Sequence, residues 1–206
     1  IRYGFHGLSY ESLVRRLGAD LPPRAVFAHL GNGSSLCALQ DGISVDTSMG
    51  LTPTGGVPMG TRCGDLDPGV LLYLMRVEKL DADALETLLN RQSGLAGYAD
   101  GESDMQTLEK RAAAGDANAS LALDAFATAV RKTIGAYAAL LGGIDLLVFT
   151  GGIGEHSEEI RKRVCEGLSF LGLSEGDSTG RVRAIHTEEE KQIARHCRAL
   201  LQAGSS

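Results

Sequence analysis

Ala28-His29-Leu30-Gly31-Asn32-Gly33-Ser34-Ser35 is the stretch on which the reading of this chain turns. An apolar, strand-like run over 25–28 ends in a histidine, and two glycines flanking an asparagine follow at once. Glycine lets a backbone come close to a ligand, and successive free N–H groups make a concavity that suits anions. His29 and Asn32 add side-chain donors at the same place. The segment reads as a phosphate-gripping turn, and polyphosphate binding is the function it points to first.

A second turn of the same character lies further along. The apolar run over 144–149 leads into Thr150-Gly151-Gly152-Ile153-Gly154-Glu155-His156. Ligands of open α/β sheets bind where strands end. Two such turns favour a nucleotide site over a pair of tight turns. Neither fits GxxxxGK[ST], nor GxGxxG after a strand, so the P-loop and Rossmann readings are disfavoured.

Around these turns the periodicity predicts alternating elements. A helix is expected over 10–17 with Ser9 as its cap, then a strand over 25–29. A hairpin over 35–39 and 43–46 turns at Gln40-Asp41-Gly42. Residues 47–68, rich in Gly, Thr and Pro, read as a long functional loop. Helices are expected over 69–77, 81–91, 105–114 and 118–141. The turn after 149 leads to a helix over 157–168. A short strand over 182–185 precedes a last helix, with Thr187 as N-cap. Residues 203–206 read as a frayed end. Strands separated by helices predict an α/β domain.

The 206 residues, 43% of them apolar, allow one large domain with a real core. A net charge of -6 argues against nucleic acid as a partner, and Arg161-Lys162-Arg163 reads as a solvated helix face. No apolar run reaches membrane-spanning length, since 138–149 is broken by Gly142, Gly143 and Asp145. No signal-peptide pattern opens the chain. The four cysteines lack CxxC spacing, which fits reduced thiols in the cytoplasm. The chain opens on Ile1 and runs straight into Arg-Tyr-Gly-Phe-His, which suggests part of a longer protein.

Single residues carry further expectations. Arg62, among glycines in the long loop, has a planar fork that suits a phosphoryl group or a carboxylate. Asp65 and Asp67 hold that loop or cap the next helix. His6 precedes the first helix and reads alone as structural. His186 and His196 read as surface residues, and Asp46 as a ligand or a turn residue. Glu188, Glu189 and Glu190 read as helix N-terminal charges that could also reach a magnesium ion.

Taken together the motifs resemble the acetate and propionate kinase family. The resemblance lies in RYGFHGLSY (2–10), AHLGNGSSLCAL (28–39) and VDTSMGLTPTGGVPMGTRCGDLDPG (45–69). It continues through SGLAGYADGESDM (93–105), IGAYAALLGGIDLLVFTGGIGEHS (134–157) and HTEEEKQIA (186–194). The resemblance implies an actin-like, sugar-kinase-like (ribonuclease H-like) α/β fold. It implies transfer of the γ-phosphoryl of ATP to a short-chain carboxylate, with magnesium, in a cytoplasmic homodimer. By motif, His29, Leu30, Gly31, Asn32 and Gly33 would hold phosphates. Arg62, His29 and His6 would act on the group in flight. Asp104, Met105 and Gln106 would hold the adenosine, with Gly152, Ile153, Gly154, Glu155 and His156 on a second nucleotide loop. Glu189 would be the magnesium-linked carboxylate.

Departures accompany the resemblance. The family usually has His at Tyr10, Arg at Gln106 and Asn at His156, and the stretch between Gly172 and His186 is shorter here. Nothing in the chain resembles the family's N-terminal domain, with its Asn-Gly-Ser-Ser loop, a further arginine and an aspartate. The expectation is therefore the family's C-terminal nucleotide-binding part over 1–206, with 1–24 and 187–206 at an inter-domain junction. Such a part alone would bind nucleotide weakly and turn over little. Two alternatives stand beside acetate phosphorylation: a non-catalytic nucleotide-binding or dimerisation domain, and a propionate or butyrate kinase.

Overall fold

The computed structural model describes residues 2–176 and 178–203. Among them the strands form one five-stranded sheet in the order β3-β2-β1-β4-β5. These are β1 (Arg24–Leu30), β2 (Ser34–Gln40), β3 (Ile43–Thr47), β4 (Leu146–Thr150) and β5 (Val182–Ala184). β1, β2 and β3 run antiparallel as a meander, while β4 and β5 lie parallel to β1. The short β2–β3 connection places Asp41 and Gly42 in the left-handed region, as the expected tight turn requires.

Strand alternation divides the core into two layers. Val26, Ala28 and Leu30 of β1, with Leu147 and Phe149 of β4, face one side. Ala25 and Phe27, with Leu146 and Val148, face the other. The first layer is covered by α6 (Ala117–Leu141), whose Leu123, Phe126, Val130, Ile134 and Tyr137 recur at helical spacing. The Asp116 carboxylate caps α6 by accepting from the N–H groups of Asn118 and Ala119, and Gly142 ends it in the left-handed conformation. The second layer is covered by α1 (Gly7–Leu17) through Tyr10, Leu13 and Leu17. α9 (Glu189–Ala203) packs outside α1. Arg24, at the start of β1, forks onto both carboxylate oxygens of Asp145, which locks β1 against β4.

The remaining helices follow the expected places within one to three residues. They are α2 (Pro68–Arg76), α3 (Ala82–Arg91), α5 (Met105–Ala113) and α8 (Glu158–Cys165). Two helices were not anticipated. α4 (Gly94–Tyr98) begins at a glycine with φ of +62°, where an added Cβ would meet the Met59 carbonyl oxygen at 2.1 Å. α7 (Gly151–His156) forms where a turn was expected. Its glycines mask helical character because propensity is low for Gly, and tertiary packing overrides that preference.

Three local readings are corrected. Ser9 does not cap α1: the helix starts at Gly7, and the buried Ser9 hydroxyl turns instead to His29. Thr187 does not cap α9: Ser12 of α1 accepts from the Glu188 N–H and bonds the Thr187 hydroxyl. Within Arg161-Lys162-Arg163, Lys162 is exposed as expected and pairs with Glu158, but the two arginines are not solvated. Arg161 pairs with Glu175 at 2.7 Å in a half-buried setting and donates to the Gly154 and Glu155 carbonyls. Arg163 pairs with Glu159 and Asp124. The frayed end expected over 203–206 lies outside the described residues from 204 onward. No disulfide joins Cys37, Cys63, Cys165 and Cys197.

Candidate functional site

The end of β1 and the start of α1 bring two histidines face to face. His6 stands at φ +61°, a left-handed conformation uncommon outside glycine but one that histidine adopts more readily than most side chains. That turn lays its ring on His29, with centroids 3.9 Å apart and planes 13° apart. Each ring is tied at Nδ1: His6 to Ser35 Oγ and His29 to Ser9 Oγ, both at 2.9 Å. The Nε2 atoms are left for the site.

The surroundings of the glycines show where those atoms lie. An added Cβ at Gly33 would meet Arg62 Nη1 at 3.3 Å and His6 Nε2 at 3.6 Å. An added Cβ at Gly151 would meet the Leu30 carbonyl at 2.6 Å and His29 Nε2 at 3.1 Å. Arg62, His6, His29 and the two glycine turns therefore share one corner of the molecule. The long loop brings Arg62 there. Asp65 braces that loop by accepting the Gly56 N–H, and Asp67 caps α2 by accepting the Gly69 N–H.

Electrostatics keep the histidines neutral. Burial, then the neighbouring His6 ring, pushes the His29 pKa down to about 4. Burial, then the Arg62 guanidinium, holds His6 below its ordinary value. The corner thus presents one fixed cation and two neutral imidazoles.

Beside it opens a cleft of about 530 Å³, within the range of small-molecule sites. Gly31 and Asn32 form one wall with Gly60, and Gly152, Ile153 and His156 form another. Asp104, Met105 and Gln106 close the third side. Residues from all three expected segments thus line one space. An added Cβ on Gly60 would sit 2.6 Å from Asn32 Oδ1, so glycine there leaves room for the asparagine.

Several expected residues stand differently. The Leu30 side chain is in the core, leaving its backbone to the turn. Met105 is only 5% exposed and packs chiefly into the core. Gly154 is buried against Phe149 and the Ala28 carbonyl, not open to the cleft. The Glu155 carboxylate accepts from the Gly151 N–H and meets His186 Nδ1 at 2.9 Å, so it braces the turn from behind. Asp104 accepts from the Thr107 N–H and hydroxyl as the cap of α5. His196 is exposed and paired with Glu11, and Asp46 with Arg2.

Sequence reading missed Glu109 and Ser157, which line the cleft and are hydrogen-bonded across it from α5 to the cap of α8. Each looks like an ordinary helix residue, and only packing brings them together. Glu189 lies half-buried at the first turn of α9. Ser12 links that turn to the site, since it accepts from Glu188 N–H and donates to the carbonyl of Ser9, whose hydroxyl meets His29. No group of three His, Cys, Asp or Glu side chains suited to a metal occurs among the described residues.

The strand order, with an antiparallel meander at one edge and parallel strands beyond β1, defines the actin-like, sugar-kinase-like class of α/β proteins. Residues 1–195 match the Acetokinase family, and the chain belongs to that family. The acetate kinase of Methylocella silvestris is 49% identical over 218 aligned residues, covering 97% of this chain and 53% of that protein. The crystal structure of Porphyromonas gingivalis acetate kinase superposes with a TM-score of 0.90 at 37% identity, covering 97% of this chain and 56% of that one. A propionate kinase from Francisella tularensis gives 0.87 at 36%, covering 94% and 54%. The chain spans about half the length of the curated relatives it matches.

Proposed function

We propose that this chain is the nucleotide-binding part of a kinase that transfers the γ-phosphoryl of ATP to a short-chain carboxylate, acetate first among them. The observation that carries this reading is the meeting of His6, His29, Arg62 and Gly33 beside a cleft lined by both glycine turns. Phosphoryl transfer needs positioning and charge neutralisation more than covalent help from protein groups.

In this reading the cleft holds the nucleoside between Asp104-Met105-Gln106 and Gly152-Ile153-His156. The amides of residues 31–33 and the Asn32 side chain hold phosphate oxygens. A carboxylate oxygen attacks the γ-phosphorus, and the bond to the β–γ bridging oxygen breaks, giving acyl phosphate and ADP. Arg62 neutralises the oxygens in flight, while the two neutral imidazoles add donors without repelling it. Magnesium would supply further charge neutralisation on the phosphates. Glu189 offers one carboxylate, which suits an ion carried mainly by phosphate oxygens and water.

Acetate and propionate kinase structures resemble the chain almost equally, which supports a short-chain carboxylate as the acceptor class. Four cysteines without a disulfide among them suit the cytoplasm. The α2 face supports a homodimer. Val70, Leu72, Tyr73 and Met75 are exposed, and no residue of α2 is buried. Calorimetric titration of the folded chain with MgATP and MgADP tests the nucleotide reading. Saturable binding is expected, and its absence in a chain of native circular dichroism would defeat the proposal.

A further inference from the structure

Tyr10 joins the site to the second core layer. Its ring is buried beside Phe27, and its hydroxyl lies 2.5 Å from Ser35 Oγ. Ser35 is also fully buried, and it meets His6 Nδ1 at 2.9 Å. A serine hydroxyl has one hydrogen, so Ser35 can donate to only one of these two partners.

Three proton arrangements follow; in one of them Ser35 accepts from both Tyr10 and His6 Nδ1–H, and its own buried hydrogen is the one left unmatched. In the first, Tyr10 donates to Ser35, and Ser35 donates to His6 Nδ1. In the second, His6 Nδ1–H donates to Ser35, Ser35 donates to Tyr10, and the phenolic hydrogen loses its acceptor. A buried donor left unmatched loses its hydration with nothing in return. The phenol does not escape by ionising, because burial pushes its pKa well above the ordinary tyrosine value. The first arrangement is the one that satisfies every group.

We infer that Tyr10 is a positioning residue: acting through Ser35, it holds His6 as the Nε2–H tautomer and presents a donor to the anion position beside Gly33 and Arg62. The inference rests on the phosphate reading of that position for its purpose, though not for its proton geometry. A lone pair at Nε2 would repel a phosphate oxygen, whereas an N–H donates a hydrogen bond to it.

Long-range 1H–15N correlation spectra of the histidine-labelled chain at pH 7.5, without nucleotide, test the inference. His6 signals are identified by their loss in His6→Gln. The wild type is expected to show protonated Nε2 and bare Nδ1. Tyr10→Phe, which keeps the ring and removes the hydroxyl, should raise the Nδ1–H fraction several-fold. Ser35→Ala should abolish the bias by a second route if Tyr10→Phe does not fold. A wild-type His6 protonated at Nδ1 would overturn the relay, as would an unchanged tautomer in a folded Tyr10→Phe or Ser35→Ala chain. No ligand is present, so these outcomes stand apart from the MgATP titration that tests the phosphate reading.

Discussion

At the residue scale, the site depends on one permanent charge and two imidazoles kept uncharged. Arg62 is the cation facing His6 Nε2 and Gly33. Hydrogen bonds to charged groups contribute about 1.5–3 kcal/mol. Arg62→Ala is therefore expected to weaken MgATP binding roughly ten- to hundredfold, measured by calorimetry, while leaving the melting temperature near wild type. His29 makes a separate prediction. Its pKa falls from 6.5 in a free ring to about 4 in the fold. The unfolded chain thus binds more protons between those values, and stability drops as pH falls from about 6.5 towards 4. The loss attributable to His29 is about 3 kcal/mol at most. Denaturant unfolding at pH 7.5 and 4.5 checks this. His29→Asn should show the smaller pH difference, and an equal difference in both chains would remove the assignment.

At the element scale, the second turn is set by packing rather than propensity. Gly151 holds φ of +76°, and an added Cβ would fall 2.6 Å from the Leu30 carbonyl. Gly151→Ala is expected to cost on the order of 1–3 kcal/mol, because the residue must leave its backbone conformation or push β1 aside. The same shift would move Gly152 and Ile153, so MgATP affinity should fall with stability. Thermal unfolding and calorimetry on one preparation test both halves. Sequence periodicity placed the strands and long helices well, because alternation and helical spacing are local. α7 and the partner of the chain entering α9 were not legible. Gly151-Gly152-Ile153-Gly154 does not advertise a helix, and the hydroxyl that accepts from Glu188 N–H belongs to Ser12, on another helix.

At the scale of the whole molecule, an apolar helix with no buried residue calls for a covering surface. Leu72 is 51% exposed, Tyr73 55% and Met75 47% on α2. A homodimer through this face predicts that Leu72→Glu shifts the mass measured by size-exclusion light scattering from dimer to monomer. Secondary structure should stay unchanged. A wild-type chain that is already monomeric at micromolar concentration would dismiss the dimer.

The sequence alone determined that two strands end in glycine turns, that Arg62 rides a long loop, and that the chain has the motifs of one kinase family. These are local demands, met by residue type and spacing, so they can be read in a single dimension. Tertiary structure alone decided that His6 stacks on His29, that Ser9 serves His29 instead of a helix end, and that Ser35 lies between His6 and Tyr10. Those contacts join positions 20 to 29 apart, and one separation of 175 lies between Ser12 and Thr187. A hydroxyl's partner is chosen by whichever group packing brings within reach, and no pattern along the chain encodes that distance.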